Sequence, residues 1–182
     1  MRYDQLEHAI RAACEVAEDG ELIVFGSQAI LGGHPAAPAA LRASIEIDIQ
    51  PKNRPEAIDA IDGALGELSL FHQTHGFYVH GHSIDAAVLP VGWQSRTVPV
   101  THVVGTRGGI GYCLEAHDLA ASKLVAFREK DREFVTTLLV ERLVVPLVLI
   151  ERIAVLPVEE VERQRLARWV EVVAADLGPD PG

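Results

Sequence analysis

The chain has 182 residues, 48% apolar and 5% aromatic, enough for one domain, or one domain with a small helical extension, cored by Leu, Val, Ile and Ala. Its 26 acidic against 16 basic side chains give a formal net charge of −10, which excludes broad electrostatic wrapping of DNA or RNA and leaves room only for a local basic pocket. Two distant cysteines make no disulfide framework, and the longest apolar stretch, 143–150, is broken by Pro146, so a cytoplasmic protein without a membrane partner is expected.

Residues 3–18 carry Leu6, Ile10, Ala13 and Ala17 at helical spacing, and Gly20 stops the pattern. Residues 21–25 predict a short buried strand ending at Gly26-Ser27. A helical turn over 28–31 and a proline- and alanine-rich loop over 34–40 follow. The second strand, 44–50, alternates Ile45, Ile47 and Ile49 with Glu46 and Asp48. Pro55 stands at a first helical position ahead of a helix over 57–68. Residues 77–80 and 83–89 predict two more strands parted by Gly81, 98–104 a weaker one, and the glycine-rich 105–111 a turn. From Glu115 onward the spacing turns helical. Leu119, Lys123 and Phe127 share one stripe, and a second helix covers 132–144. A last helix runs over 158–177 with Val161, Leu166, Trp169, Val173 and Leu177 inward, and 179–182 read as a frayed tail. The fold class is α+β: a small mixed β-sheet flanked by helices over 1–112, then a C-terminal helical half over 113–182.

Side chains two apart on a strand share a face, so Glu46 and Asp48 stand side by side. Adjacent carboxylates repel, and water or a cation must neutralise them. Hard divalent ions, Mg2+ above all, take oxygen ligands of this kind. Gly26 permits close backbone approach, and Ser27 offers a hydroxyl and an N–H at a helix start, which suits a phosphate. On spacing alone, this metal site and a plain Gly-Ser turn beside an acidic edge strand are equally good readings. Asp85, among apolar neighbours on the predicted 83–89 strand, is a third acid. If that strand adjoins 44–50, three carboxylates converge to bind metal and activate a hydroxyl. The plain alternative pairs Asp85 with a backbone N–H, Arg42 or Arg96. Lys123 sits on an apolar helix stripe, where an ammonium needs an anion or must snorkel to water. His72, His75, His80 and His82 lie close in sequence, and His80 and His82 could share a strand face. No cysteine joins them, and Asp85 has the opposite strand parity, so they read as surface or hairpin residues rather than metal ligands.

Gly26-Ser27, Glu46-x-Asp48 and a later strand Asp together resemble the nucleotidyltransferase signature of the DNA polymerase beta superfamily. Arg42-Ala43-Ser44-Ile45-Glu46-Ile47-Asp48-Ile49 is similar to the Arg-x-Ser/Thr-x-Asp-x-Asp element of AbiEii/MenT-like nucleotidyltransferases, which are associated with toxin–antitoxin and phage-defence systems. Residues 117–131, from His117 through Lys123 and Arg128 to Asp131, resemble their second block, where a helical Lys faces the nucleotide phosphates and an Arg and an Asp complete the pocket. Two features depart from the pattern: Glu46 stands where Asp is common, and the loop between Ser27 and Glu46 is longer than in compact members.

The resemblance implies a metal-dependent transfer of an NMP from an NTP to an acceptor hydroxyl. Glu46, Asp48 and Asp85 would be the catalytic and metal-binding acids, with Mg2+ or Mn2+ as cofactor. Gly26, Ser27, Arg42, Ser44, Lys123, Arg128 and Asp131 would bind the nucleotide, the C-terminal half completing the pocket. The implied acceptor is a tRNA end or a protein hydroxyl, and a cognate antitoxin is the implied partner. Any tRNA contact must rest on a local patch such as Arg96, Arg107 and Arg128. The alternative reading is a catalytically degenerate nucleotide-binding or regulatory protein on the same fold.

Overall fold

The computed structural model describes residues 1–178, so the tail expected over 179–182 lies outside the described residues. Among those residues the chain forms one five-stranded mixed sheet and eight α-helices, the α+β class that the spacing predicts. It divides into two units. The first comprises Met1–Ala86 and Arg96–Glu115, and the second Ala87–Ser95 and the chain from Ala116 onward.

In the first unit, α1 (Tyr3–Ala17) buries Leu6, Ala9, Ile10, Ala13 and Ala17, the stripe read from the sequence. The Gln5 side chain accepts the Arg2 N–H at 2.8 Å and so caps the helix start. After α1 the Asp19 carboxylate accepts the backbone N–H groups of Glu21, Asn53 and Arg54 at 3.0, 2.7 and 3.1 Å. That one buried acid ties the turn before the first strand to the loop after the second.

The strands are β1 (Glu21–Phe25), β2 (Glu46–Pro51), β3 (Tyr78–Gly81), β4 (Val98–Val100) and β5 (Ile110–Cys113), in the order β3-β2-β1-β5-β4. β1 runs antiparallel to β2 and parallel to β5, β2 and β3 are parallel, and β4 and β5 antiparallel. Parallel neighbours need a crossover, which α3 (Ile58–Leu65) and α4 (Leu70–His75) supply between β2 and β3. Along β2, Ile47 and Ile49 are fully buried while Glu46 and Asp48 turn to the other, half-open face. Truncating Ile47 to Ala would cost about 3 kcal/mol.

Several expected elements differ from the observed ones. The helix expected over 57–68 is a 3-10 turn, Pro55–Ala57, then α3, and the chain restarts as α4 because the Ser69 hydroxyl accepts the His72 N–H at 3.1 Å. The strand expected over 83–89 is a 3-10 turn, Ile84–Ala86. There the Ser83 hydroxyl accepts the Asp85 N–H at 3.2 Å and the Ile84 N–H goes to the Gln50 side chain at 2.7 Å, diverting the backbone from a ladder. Conversely, β5 arises at the end of a stretch read as a turn. Gly111 within it makes room for the core: a Cβ there would lie 2.5 Å from the Ile10 side chain and 3.2 Å from Val24, and Ile10 would have to shift. The chain from Gln28 to Glu46 contains the short α2 (Ile30–Gly33) and a 3-10 turn, Ala39–Arg42.

The second unit is helical, with α5 (Ala116–Ala126), α6 (Glu129–Val140), α7 (Pro146–Ala154) and α8 (Glu160–Asp176). The stripe expected to run through Phe127 stops before it, because Phe127 takes φ +51° and turns the chain into α6. Pro146, read as an interruption, begins α7 at its first turn, where a missing N–H costs nothing. In α8 the buried positions are Leu166 and Val170, whereas Val161, expected inward, is 78% exposed. No helix among the described residues is long and apolar enough to cross a membrane.

Candidate functional site

The site forms where β1 ends. Phe25 pairs with Asp48 across the antiparallel β1–β2 ladder, and Gly26 follows at once. Gly26 has φ +65° and ψ −170°, a backbone region open essentially to glycine alone. A Cβ there would fall 1.9 Å from Oδ2 of Asp48, so glycine is also required to leave that carboxylate its space. Ser27 opens a 3-10 turn, Ser27–Ala29, in which Gln28 is fully buried, its Nε2 3.4 Å from the Leu41 carbonyl and its Oε1 without a partner.

Ser44 sets the start of β2. Its hydroxyl accepts the Glu46 N–H at 3.1 Å and holds Glu46 at the strand entrance. The Arg42 carbonyl accepts the N-terminal ammonium, its Nη1 lies 3.4 Å from the Met1 carbonyl, and its buried Nε has no partner.

Parallel pairing of β2 with β3 sets Asp48 against His80 and Glu46 against Tyr78. All four side chains share the face opposite Ile47 and Val79. The Nδ1 of His80 lies 3.1 Å from Oε1 of Glu46 and 3.2 Å from Oδ1 of Asp48. One atom from each of Glu46, Asp48 and His80 falls within 4.8 Å of the other two. The longer arm of Glu46 therefore brings its carboxylate to the same nitrogen that Asp48 reaches. Burial first, and then the Glu46 charge, push the Asp48 pKa above its ordinary value. The Tyr78 pKa is raised too, by burial and then by Glu46.

Among the residues expected from the sequence, Gly26, Ser27, Ser44, Glu46 and Asp48 are thus brought together at the β1–β2 end. Asp85 lies on the Ile84–Ala86 turn, exposed, with the Ser83 hydroxyl 3.2 Å from its carboxylate, and it is not a member of the Glu46–Asp48–His80 group. His80 takes the third position, a residue read from the sequence as a surface or hairpin histidine. Its signal was the pairing of β2 with β3, since on parity alone His80 falls on an open strand face like the two acids.

Lys123, Arg128 and Asp131 gather in the second unit. The Asp131 side chain is 1% exposed, with Arg128 Nε at 2.6 Å and Lys123 Nζ at 3.4 Å. Lys123 also lies over the Phe134 ring, 4.8 Å from its centre. Burial opposes the Asp131 charge, yet the Arg128 hydrogen bond and the Lys123 charge hold its pKa below the usual carboxylate range. Of the arginines considered for a nucleic-acid patch, Arg107 pairs with Glu15 at 3.1 Å and Arg128 with Asp131.

A Gly-Ser turn at the end of one strand, beside two same-face acids on the next, is the arrangement the sequence motif foresaw. A family model described as a nucleotidyltransferase of unknown function (DUF6036) matches residues 2–172. The chain belongs to this family. The match covers both units and supports nucleotidyl transfer at the level of the class; it does not reach the narrower AbiEii/MenT-like group. No curated protein and no solved structure matches the chain.

Proposed function

We propose that this nucleotidyltransferase moves an NMP from an NTP to an acceptor hydroxyl, with Glu46 and Asp48 holding a divalent cation, Mg2+ or Mn2+. The observation that carries the proposal is the geometry: two same-face carboxylates and His80 offer donor atoms within 4.8 Å of one another, and burial and then the Glu46 charge push the Asp48 pKa up. Burying such a pair without a counter-ion is costly. The space that Gly26 leaves for the Asp48 carboxylate fits the same reading, because a side chain there would displace a ligand oxygen.

A cation bound there would neutralise the triphosphate and make the acceptor hydroxyl easier to deprotonate. Gly26 and Ser27 form the turn that faces the phosphates. Ser44 keeps Glu46 in register through its backbone N–H. The acceptor, a tRNA end or a protein hydroxyl, and a cognate antitoxin belong to the same proposal through the resemblance of 42–49. The proposal assigns no nucleotide contact to Lys123, Arg128 or Asp131, whose charges close on one another.

The test uses NTPs labelled at the α-phosphate, with Mg2+ or Mn2+ and a panel of RNA and protein acceptors. Labelled product with release of pyrophosphate is expected from the wild type and not from Asp48→Ala. Equal turnover by that variant contradicts the proposal, and release of inorganic phosphate instead of pyrophosphate would make the protein a phosphohydrolase. The placement of Asp85 outside the acid pair favours one second reading, a nucleotide-binding regulator. Saturable NTP binding without product across the panel would establish it.

A further inference from the structure

Resting on the cation reading above, we propose that His80 is a nitrogen ligand to the ion held by Glu46 and Asp48. The site then prefers a first-row transition ion such as Mn2+ over Mg2+. A single nitrogen of His80 stands at nearly equal distance from both carboxylates, 3.1 Å from Glu46 and 3.2 Å from Asp48. Cis ligands on an octahedral ion with bonds of about 2.1 Å stand about 3 Å apart, so both spacings equal the edge of a coordination shell. One donor atom from each of the three residues lies within 4.8 Å of the other two, a group that could hold one ion.

The fold fixes this arrangement. Asp48 and His80 are direct partners in the parallel β2–β3 ladder, so the backbone register holds the two side chains next to each other on one face. The His82 N–H continues that ladder to the Ile49 carbonyl at 3.1 Å. The His82 ring stacks on the His80 ring, centroids 4.9 Å apart and planes 16° apart, and the Phe25 ring lies 6.2 Å from that of His82 at 29°. Phe25 is buried and immediately precedes Gly26. The stack sets the plane of His80 and leaves its edge turned to the two acids. The side chains of His80 and Glu46 remain 37% and 39% exposed, so an ion can reach them from solvent.

The donor set decides the metal. An all-oxygen site suits Mg2+ and Ca2+, whereas an imidazole nitrogen favours transition ions, Mn2+ being the most oxygen-tolerant of them. Two carboxylates with one imidazole therefore bind Mn2+ more tightly than Mg2+. Ligation requires Nδ1 to present its lone pair; if Nδ1 instead carries a proton and bridges the acids by hydrogen bonds, His80 is a structural donor and not a ligand.

Pulsed electron paramagnetic resonance of Mn2+ bound to the full chain separates the two, because a directly bound nitrogen modulates the electron-spin echo. Nitrogen modulation is expected in the wild type and in His82→Gln, and its loss in His80→Gln. The ratio of Mn2+ to Mg2+ affinity, read by titration, should fall at least about tenfold in His80→Gln. If that variant fails to fold, nitrogen modulation that persists in His82→Gln assigns the ligand to His80, and its loss there overturns the assignment. Mn2+ binding that depends on Asp48 but shows no nitrogen modulation overturns the role of His80 and leaves the cation reading intact. Modulation lost in His82→Gln and kept in His80→Gln also overturns it. No saturable binding of Mn2+ overturns both.

Discussion

Asp131 and Asp48 stand in opposite electrostatic settings, the first fully buried between cations and the second part-buried beside another acid. Asp131, in the helical unit, meets Arg128 and Lys123, and its pKa falls although it is 1% exposed. Asp48, in the sheet unit, has its pKa pushed up by burial and then by the Glu46 charge, with His80 opposing. An acid closed by its own cations is complete within the fold. The acid pair of β2 has only the imidazole of His80 against it, and its half-open face leaves room for a cation from outside. The difference also explains why Lys123, attractive in sequence as a phosphate ligand, is a weaker candidate in structure: its charge is already shared with Asp131.

Substitutions can break or sharpen this contrast. The largest expected effect is on turnover: Asp48→Asn should lower kcat by at least about a hundredfold while leaving the melting temperature unchanged or raised. Relief of the repulsion with Glu46 should add about 0.5–1 kcal/mol of stability, as removal of a strained functional group often does. The mirror experiment is Asp131→Asn, expected to cost about 3 kcal/mol in denaturant unfolding, less the fraction lost to solvent screening of the exposed Arg128. If Asp48→Asn destabilises the protein and Asp131→Asn does not, the two settings have been assigned the wrong way round.

Gly26→Ala should cost about 2 kcal/mol through its backbone conformation alone, and the clash with Asp48 should weaken cation affinity besides. Unaltered cation affinity in a folded Gly26→Ala variant would show that the space beside Asp48 is not a ligand cradle.

The smallest effect is the pH dependence. Because the folded pKa of Asp131 lies below its unfolded value, its contribution is present above the unfolded pKa of about 3.9 and is lost as pH falls through the folded value. Asp19 has the same sign, with burial opposing its charge and the Asn53 side chain and three backbone N–H groups sustaining it. Acid titration of stability should therefore be shallower in Asp131→Asn than in the wild type below about pH 4. Identical acid limbs would remove Asp131 from that role.

Much of the sheet unit was legible because its signals are local. The alternation of Ile45 to Ile49 with Glu46 and Asp48 fixes which face each side chain takes, and the run ending at Gly26-Ser27 marks the end of β1. The strand at 83–89 was misread because Ser83 competes for the backbone with its own hydroxyl, which strand-like composition does not reveal. His80 was missed for another reason: the parallel register of β2 and β3 is a long-range property, and no spacing between residues 48 and 80 encodes it. In the helical unit, the apolar stripe of Lys123 left an anion partner and a snorkelling ammonium both open, and the 3.4 Å approach to Asp131 depends on a turn between two helices that no spacing encodes.

The most direct test of the central claim is a calorimetric titration of Mn2+ into the wild type and Asp48→Asn at neutral pH. The account predicts saturable binding to the wild type, lost in the variant while its fold and its Asp131 cluster stay intact. Equal binding by both proteins would contradict it.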